Sequence, residues 1–152
     1  MLRDLAHRTI ALMEEAARHE KVILAIVREW RPDLLARRGV GPIIAATVLC
    51  AWSHPGRIRS EAAFAMLGGT APLPANSGKL TTHYRLNSHG DRRLNWALHI
   101  IVLSRMHYDE ETKAYVKRRT AEGKTSREIR RCLKRYVARE LFRLLENDPS
   151  AT

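Results

Sequence analysis

The feature that most constrains this chain is a run of residues at heptad spacing that ends at its first proline. The run alternates steps of four and three residues and consists of Leu5, Thr9, Leu12, Ala16, His19, Ile23, Ile26 and Trp30. Such spacing puts every member on one face of an α-helix. The sequence therefore predicts one helix of about 28 residues, about 42 Å long at 1.5 Å per residue, that stops at Arg31-Pro32.

Two arrangements suit this helix, which with its end occupies residues 1–31. In the first it is a coiled coil through which the chain forms a homo-oligomer, a dimer or a tetramer. In the second it is an amphipathic helix that folds back on its own domain. Thr9, Ala16 and His19 weaken the seam, so the second arrangement remains the alternative to the coiled coil.

The charge of the chain indicates a polyanionic partner. Its 152 residues include 27 lysines and arginines against 16 acidic residues, a net charge of +11, while 45% of the residues are hydrophobic. That composition is typical of a folded basic domain whose partner is nucleic acid or an anionic membrane surface. Between Lys113 and Arg143 there are twelve basic residues and three glutamates. We expect the basic C-terminal helices, 110–146, to contact phosphates through residues such as Arg130 and Lys134; a solvated helix face is the alternative.

Several classes of protein do not fit the sequence. The longest apolar run, Val40 to Trp52, contains Gly41 and Pro42 and is shorter than the roughly 20 residues of a membrane span. The N-terminus carries charges throughout and does not resemble a secretory signal. We therefore expect a cytoplasmic protein without membrane contact. Cys50 and Cys132 have no CxxC spacing, so we expect no metal site.

Residues 34–52 predict a helix-hairpin-helix. Leu34 and Leu35 precede the turn Gly39-Val40-Gly41, and small and aliphatic residues follow at helical spacing up to Trp52. Glycines allow a tight turn, and the amides of Gly39, Val40 and Gly41 would then hold a DNA backbone phosphate. A plain helical hairpin without a phosphate is the alternative.

The remainder of the domain, within 32–147, also predicts helices, so the expected fold class is all-α. A short helix capped by Ser60 would turn four residues inward: Ala62, Phe64, Ala65 and Leu67. Asp91 would cap the core helix, which carries Leu94, Leu98, Ile101 and Val102. Ser126 would cap the last helix, whose predicted buried face is Ile129, Leu133, Tyr136, Val137, Leu141 and Leu144. Residues 78–86 have the composition of a short strand or extended arm.

Ser77 lies in a predicted turn, 72–79, between Asn76 and Gly78. The segment is not a phosphate-binding P-loop, because Leu73 stands where that motif needs glycine. A serine that attacks a DNA phosphate needs an exposed hydroxyl, neighbouring cations and a base. The candidate cations are Lys79, Arg85, Arg92 and Arg93, and the candidate bases are His83 and His89. A plain Asn-Ser-Gly turn remains the alternative.

Three quoted segments carry a family resemblance: "GVGPIIAATVLCAW", "FAMLGGTAPLPANSGK", and the helix start "GDRRLN" with the basic C-terminal helix. Over about residues 34–145 the chain resembles the C-terminal domain of the insertion sequence 110 family of transposases, the serine-containing DEDD transposases. The resemblance implies that Ser77 is the nucleophile of DNA strand exchange. It also implies a coiled coil, multimers, a structured noncoding bridge RNA, and an RNase-H-like domain that holds Mg²⁺ on four acidic residues.

On this basis we expect a DNA-binding catalytic domain of a bacterial, nucleoid-associated transposase. The chain shows no RNase-H-like sequence, so we expect it to bind no cofactor itself and to be inactive alone. The alternative is a non-enzymatic nucleic-acid-binding or regulatory fragment of a transposase.

Overall fold

The computed structural model describes residues 1–74, 84–86 and 90–147, and at 72–74 and 84–86 it describes the backbone. Over these residues the chain forms seven α-helices and a two-stranded antiparallel sheet. In chain order they are α1 Leu2–Trp30, α2 Pro32–Leu35, α3 Pro42–Trp52, α4 Glu61–Leu67, β1 Pro72–Pro74, β2 Tyr84–Leu86, α5 Arg92–Tyr108, α6 Glu110–Ala121 and α7 Ser126–Glu146. The predicted all-α class is confirmed, and β2 lies within the predicted extended segment. None of these helices is long and apolar enough to span a membrane.

The long N-terminal helix is confirmed, since α1 has 29 residues. All of residues 1–22 are exposed, and Val27 is the residue that α1 buries among the described side chains. The last turns of α1 pack on α3. The first 22 residues therefore do not fold back on the domain, and seam residues such as Leu5 and Leu12 remain 55% and 56% exposed.

The core forms where α5 packs between α3 and α7, with α4 closing α7 from another side. The predicted core residues of α5 are buried: Leu94, Leu98, Ile101 and Val102. Two predictions on neighbouring helices are wrong. Ala62 is exposed on α4, and Tyr136 on α7 is 54% exposed because its ring lies at the surface, edge-on to Tyr115. Leu145, not foreseen, is buried.

Arg31 fixes the base of α1 to the domain. It is 5% exposed, and its guanidinium donates to the carbonyl oxygens of Leu144 and Leu145 at 2.5 and 2.9 Å. These carbonyls belong to the last turn of α7, where backbone acceptors have no helical partner. The same guanidinium pairs with Asp33 through two hydrogen bonds of 2.6 and 2.9 Å. One side chain thus joins the end of α1, the start of α2 and the end of α7.

The helix starts depend on side-chain caps. Ser60 and Asp91 cap α4 and α5 as predicted, and Asp91 Oδ1 accepts from the amides of Arg93 and Leu94 at 2.8 and 2.9 Å. For α7 the predicted cap is wrong by one residue. The cap is Thr125, which forms a reciprocal capping box with Glu128.

Candidate nucleic-acid interface

Several of the predicted site residues lie outside the described part of the chain. These are Ser77 and Lys79, together with His83 and His89. Arg85 belongs to β2, and its backbone is paired with Leu73. Pro74 and Tyr84 are also paired, so the chain enters and leaves residues 75–83 at adjacent strand ends.

A close backbone contact also joins Gly90, which follows this segment in the sequence, to Leu67 and Gly69, which precede it. A Cβ on Gly90 would lie 2.7 Å from both the Leu67 carbonyl oxygen and the Gly69 nitrogen. The amide of the next residue, Asp91, donates to the Leu67 carbonyl oxygen at 2.7 Å. Only a glycine leaves room for this approach, so Gly90 holds the start of α5 against the end of α4.

Asn95, one turn into α5, extends the same junction to α7. Its amide nitrogen donates to the carbonyl oxygen of Gly68 at 2.7 Å. Its amide oxygen accepts from the Lys134 ammonium at 2.9 Å. Both ends of the Asn95 amide are therefore used, and Lys134 is held beside the residues from which the serine-bearing segment departs.

These contacts surround an open cleft of about 510 Å³. Among the described residues its lining comes from Gly69, Gly90, Arg92, Asn95, Trp96, His99 and Lys134. The structure thus brings together Arg92 and Lys134, two predicted nucleic-acid-binding residues that are far apart in the sequence. Arg93 is exposed but does not line the cleft.

The cleft is positively charged and partly shielded from water. Burial lowers the pKa of Lys134, and the charges of Arg130 and Arg131 lower it further. Burial likewise lowers the pKa of His99 below its ordinary 6.5, with smaller effects from Lys134 and Arg130. Both shifts disfavour additional positive charge in the cleft. An anion bound here would relieve the repulsion among the cations.

The predicted basic surface of α7 divides into two halves. Its first half carries a group that we name the basic stripe: Arg127, Arg130, Arg131, Lys134 and Arg135. At 100° per residue these five side chains share an arc of about 140°, and within the described residues none of them forms an ion pair. In the second half, Arg139 and Arg143 bind Glu61 of α4 at 3.1 and 3.0 Å. Only the first half presents free positive charge.

Residues 33–117 match the transposase IS116/IS110/IS902 family. That is more than half of the chain. The chain belongs to this family. It is also 27% identical over 128 residues to the uncharacterized 44.8 kDa protein of insertion element IS116 from Streptomyces clavuligerus, a match that covers 79% of this chain and 31% of that protein. The chain thus spans about a third of the length of this curated relative.

Within this transposase-family chain, the glycine turn lies away from the cleft. Gly39 has φ 83°, and a Cβ there would lie 3.1 Å from the carbonyl oxygen of Ile101 on α5. Val40 is buried, and Gly41 precedes α3 as its N-cap. Viewed along α5, Ile101 and Asn95 are about 120° apart and Ser104, which Gly39 also approaches, is about 180° from Asn95. The turn and the cleft therefore occupy opposite sides of α5, and phosphate binding by the turn stays a prediction.

The sequence analysis did not predict a functional role for three residues that line the cleft: Asn95, Trp96 and His99. Asn95 and His99 are four residues apart on a helix whose other face is apolar, so they share a side. Two polar residues on one side of an otherwise apolar helix could have indicated this part of the cleft from the sequence. Among the described residues, no group of histidine, cysteine and acidic side chains is placed to hold a metal ion.

Proposed function

We propose that this chain is the serine-bearing, DNA-binding domain of an insertion-sequence transposase and that Ser77 is its nucleophile. One observation carries the proposal most directly. The cleft with Arg92 and Lys134 is also lined by Gly69 and Gly90, which come before and after the segment that contains Ser77 in the sequence. Membership of the transposase family supports the same conclusion.

The reaction would be a transfer of a phosphoryl group from DNA to serine. The Ser77 oxygen attacks the phosphorus, its proton passes to a base, and the bond to one deoxyribose oxygen breaks, so that this oxygen leaves as a hydroxyl. The product is a phosphoserine diester. The hydroxyl of a second DNA end can then attack its phosphorus, which joins the DNA to a new strand and releases the serine. Arg92 and Lys134, with Lys79, Arg85 and Arg93, would stabilise the charge that develops on the phosphate oxygens.

The basic stripe would hold the DNA on either side of the reacting phosphate. Lysines and arginines that neutralise phosphates release counterions, and this makes binding depend on salt. A structured bridge RNA is a second polyanion suited to the stripe. The acidic residues and Mg²⁺ of an RNase-H-like domain would come from the remainder of a longer transposase, since the chain covers 31% of its relative.

The test of the nucleophile uses the full-length transposase of the element with labelled DNA ends. The wild-type protein should give a protein-DNA species that survives denaturation in detergent. Ser77→Ala should give none while it binds the same DNA. Ser126→Ala, which alters an exposed serine at the start of α7, should form the adduct normally. An undiminished adduct in Ser77→Ala would exclude Ser77 as the nucleophile.

The test of the interface uses the 152-residue chain itself. Arg127→Gln with Arg131→Gln should weaken duplex binding and reduce the slope of log K against log salt by about 1.8, because each lost phosphate contact is worth about 0.9. Arg139→Gln with Arg143→Gln removes the same charge from arginines that bind Glu61. This control should leave the slope nearly unchanged. Equal losses in both variants would mean that net charge, and not the basic stripe, governs binding.

A regulatory role is the second candidate, favoured by the exposure of α1. Residues 1–22 bury nothing in the domain, so their apolar seam is open to the same helix of another copy. Homo-oligomers formed in this way would place two or more clefts in one assembly. A fragment that pairs with longer copies but forms no covalent adduct with DNA would be a regulator and not an enzyme.

A further inference from the structure

Trp96 sets the cleft apart from an ordinary phosphate site. Its side chain is 48% exposed, and within the described residues its indole nitrogen makes no hydrogen bond. It lies on α5 beside Arg92 and His99, which are within about 60° of it around the helix. A large aromatic face thus stands open to solvent at the edge of a group of cations.

The polar groups of the cleft fit the phosphate of a nucleotide better than a base edge. Asn95 uses both ends of its amide on Gly68 and Lys134. The Lys134 ammonium has three N–H donors and gives one to Asn95, so two are left for an anion. Arg92 lines the same wall and is exposed. The cleft therefore offers cations for a phosphate, an aromatic face for a base, and few groups that would distinguish one base from another.

We propose that this cleft binds one unpaired nucleotide of a single strand, with its base stacked on Trp96 and its phosphate held by Lys134 and Arg92. A base within a duplex is stacked on its neighbours and does not present a free face to an indole, whereas an unpaired base does. The volume of about 510 Å³ lies within the range of small-ligand sites. The inference rests on the proposed function, because it names the form of nucleic acid that the interface takes.

Asn95 acts here as a positioning residue, since it holds the Lys134 ammonium at 2.9 Å. Binding should depend little on base identity, because stacking accepts any base and Asn95 is already engaged. Oligothymidylate and oligoadenylate should therefore bind within a few-fold of each other.

The experiment measures binding of labelled oligothymidylate, oligouridylate and a blunt duplex to the 152-residue chain by fluorescence anisotropy. Trp96→Ala should weaken binding of a single strand by about 5- to 150-fold, the range found for loss of one stacked base, and should change duplex binding much less. Trp30→Ala is the matched control, because Trp30 is 59% exposed and lies at the end of α1. It should leave both affinities unchanged, and Trp96→Phe should restore much of the single-strand affinity.

The contribution of the phosphate is tested by Lys134→Gln, which should reduce the single-strand salt slope by about 0.7. Lys117→Gln, which removes the same charge from an exposed residue of α6, should reduce it less. Tighter binding of oligothymidylate or of oligouridylate would identify DNA or RNA as the source of the nucleotide. Equal losses for single strand and duplex in Trp96→Ala would overturn the inference and leave the proposed function intact. No salt-sensitive binding of any of these nucleic acids would overturn both.

Discussion

At the scale of single residues, the helix start Gly90 to Asn95 shows how one short segment builds the site. Gly90 permits backbone contact with Leu67 and Gly69, Asp91 caps α5, and Asn95 links Gly68 to Lys134. Leu94 lies fully buried between them. Each residue of the segment has its own contact, so a change at one position should have a specific effect.

Gly90→Ala should destabilise the domain. The new methyl group would lie 2.7 Å from backbone atoms of Leu67 and Gly69, which have no rotamer to move away. We expect a loss of about 1–3 kcal/mol in the free energy of unfolding, as for other overpacked sites, measured by urea denaturation. Gly41→Ala is the control, because nothing lies within 4 Å of its added methyl group. A loss in Gly41→Ala as large as that in Gly90→Ala would contradict the contact.

Arg31→Met should be more damaging, because it leaves the partly buried carboxylate of Asp33 unpaired and the last carbonyls of α7 without a donor. The expected loss is about 3 kcal/mol, the lower end for removal of one partner of a buried pair, because the Asp33 side chain is 25% exposed. Arg28→Met, in the last turn of α1, is the control, since Arg28 is exposed and in the described residues forms no ion pair. Thermal and urea unfolding of both variants would show whether the buried position matters or only the charge.

The ion pair between Arg31 and Asp33 also predicts how the free energy of unfolding depends on pH. The hydrogen bond from Arg31 holds the pKa of Asp33 below its ordinary 3.8. A depressed folded pKa adds stability that is fully present above about pH 4 and is lost as pH falls through the folded pKa. The stability difference between wild type and Arg31→Met should therefore shrink as the pH falls below about 4. A difference that stays constant over this interval would show that Asp33 contributes nothing to it.

At the scale of secondary-structure elements, the periodicity of the sequence predicted the existence of each long helix but not the details of its ends and edges. Both Thr125 and Ser126 are good cap residues, and the deciding fact is that Glu128 is three residues after Thr125. Tyr136 has helical spacing with the core, yet its phenol lies at the surface. Amphipathic residues at the edge of a buried face are placed by their neighbours, which the sequence pattern does not show.

The cap of α7 can be tested directly. Thr125→Ala removes the hydroxyl that accepts from the Glu128 amide and should lower the free energy of unfolding by about 1 kcal/mol. Ser126→Ala, at the neighbouring position that the sequence favoured, should have a much smaller effect. The comparison needs only equilibrium denaturation, and the reverse order of the two losses would restore Ser126 as the cap.

The candidate site was less accessible to sequence reasoning than the helices were. Arg92 and Lys134 were each predicted to bind nucleic acid, but their meeting depends on how α5 packs on α7. Asn95 joins residues on either side of it that are 27 and 39 positions away in the chain. Contacts of this kind follow from packing, because loop length and periodicity do not set the rotation of one helix against another.

At the scale of the whole molecule, α1 has two parts that differ in their contacts with the domain. Its last turns are anchored through Val27 and Arg31, while residues 1–22 are exposed on all sides. In proteins most of the stability of a helix comes from the packing of its apolar face and not from the helix alone. The domain does not need these residues for its core, so the face that they carry is available to another chain.

Association through the heptad seam predicts that Leu12 and Ile10, which are almost equally exposed, respond differently to substitution. Leu12, at a seam position, is 56% exposed, and Ile10, on the opposite face of α1, is 55% exposed. Leu12→Asp should convert an oligomer to a monomer in sedimentation equilibrium, because a charge would be buried between paired helices. Ile10→Asp should leave the oligomer intact, and neither change should affect the unfolding of the domain. A wild-type chain that stays monomeric at high concentration, or equal behaviour of the two variants, would exclude pairing through the seam and leave α1 to a different partner.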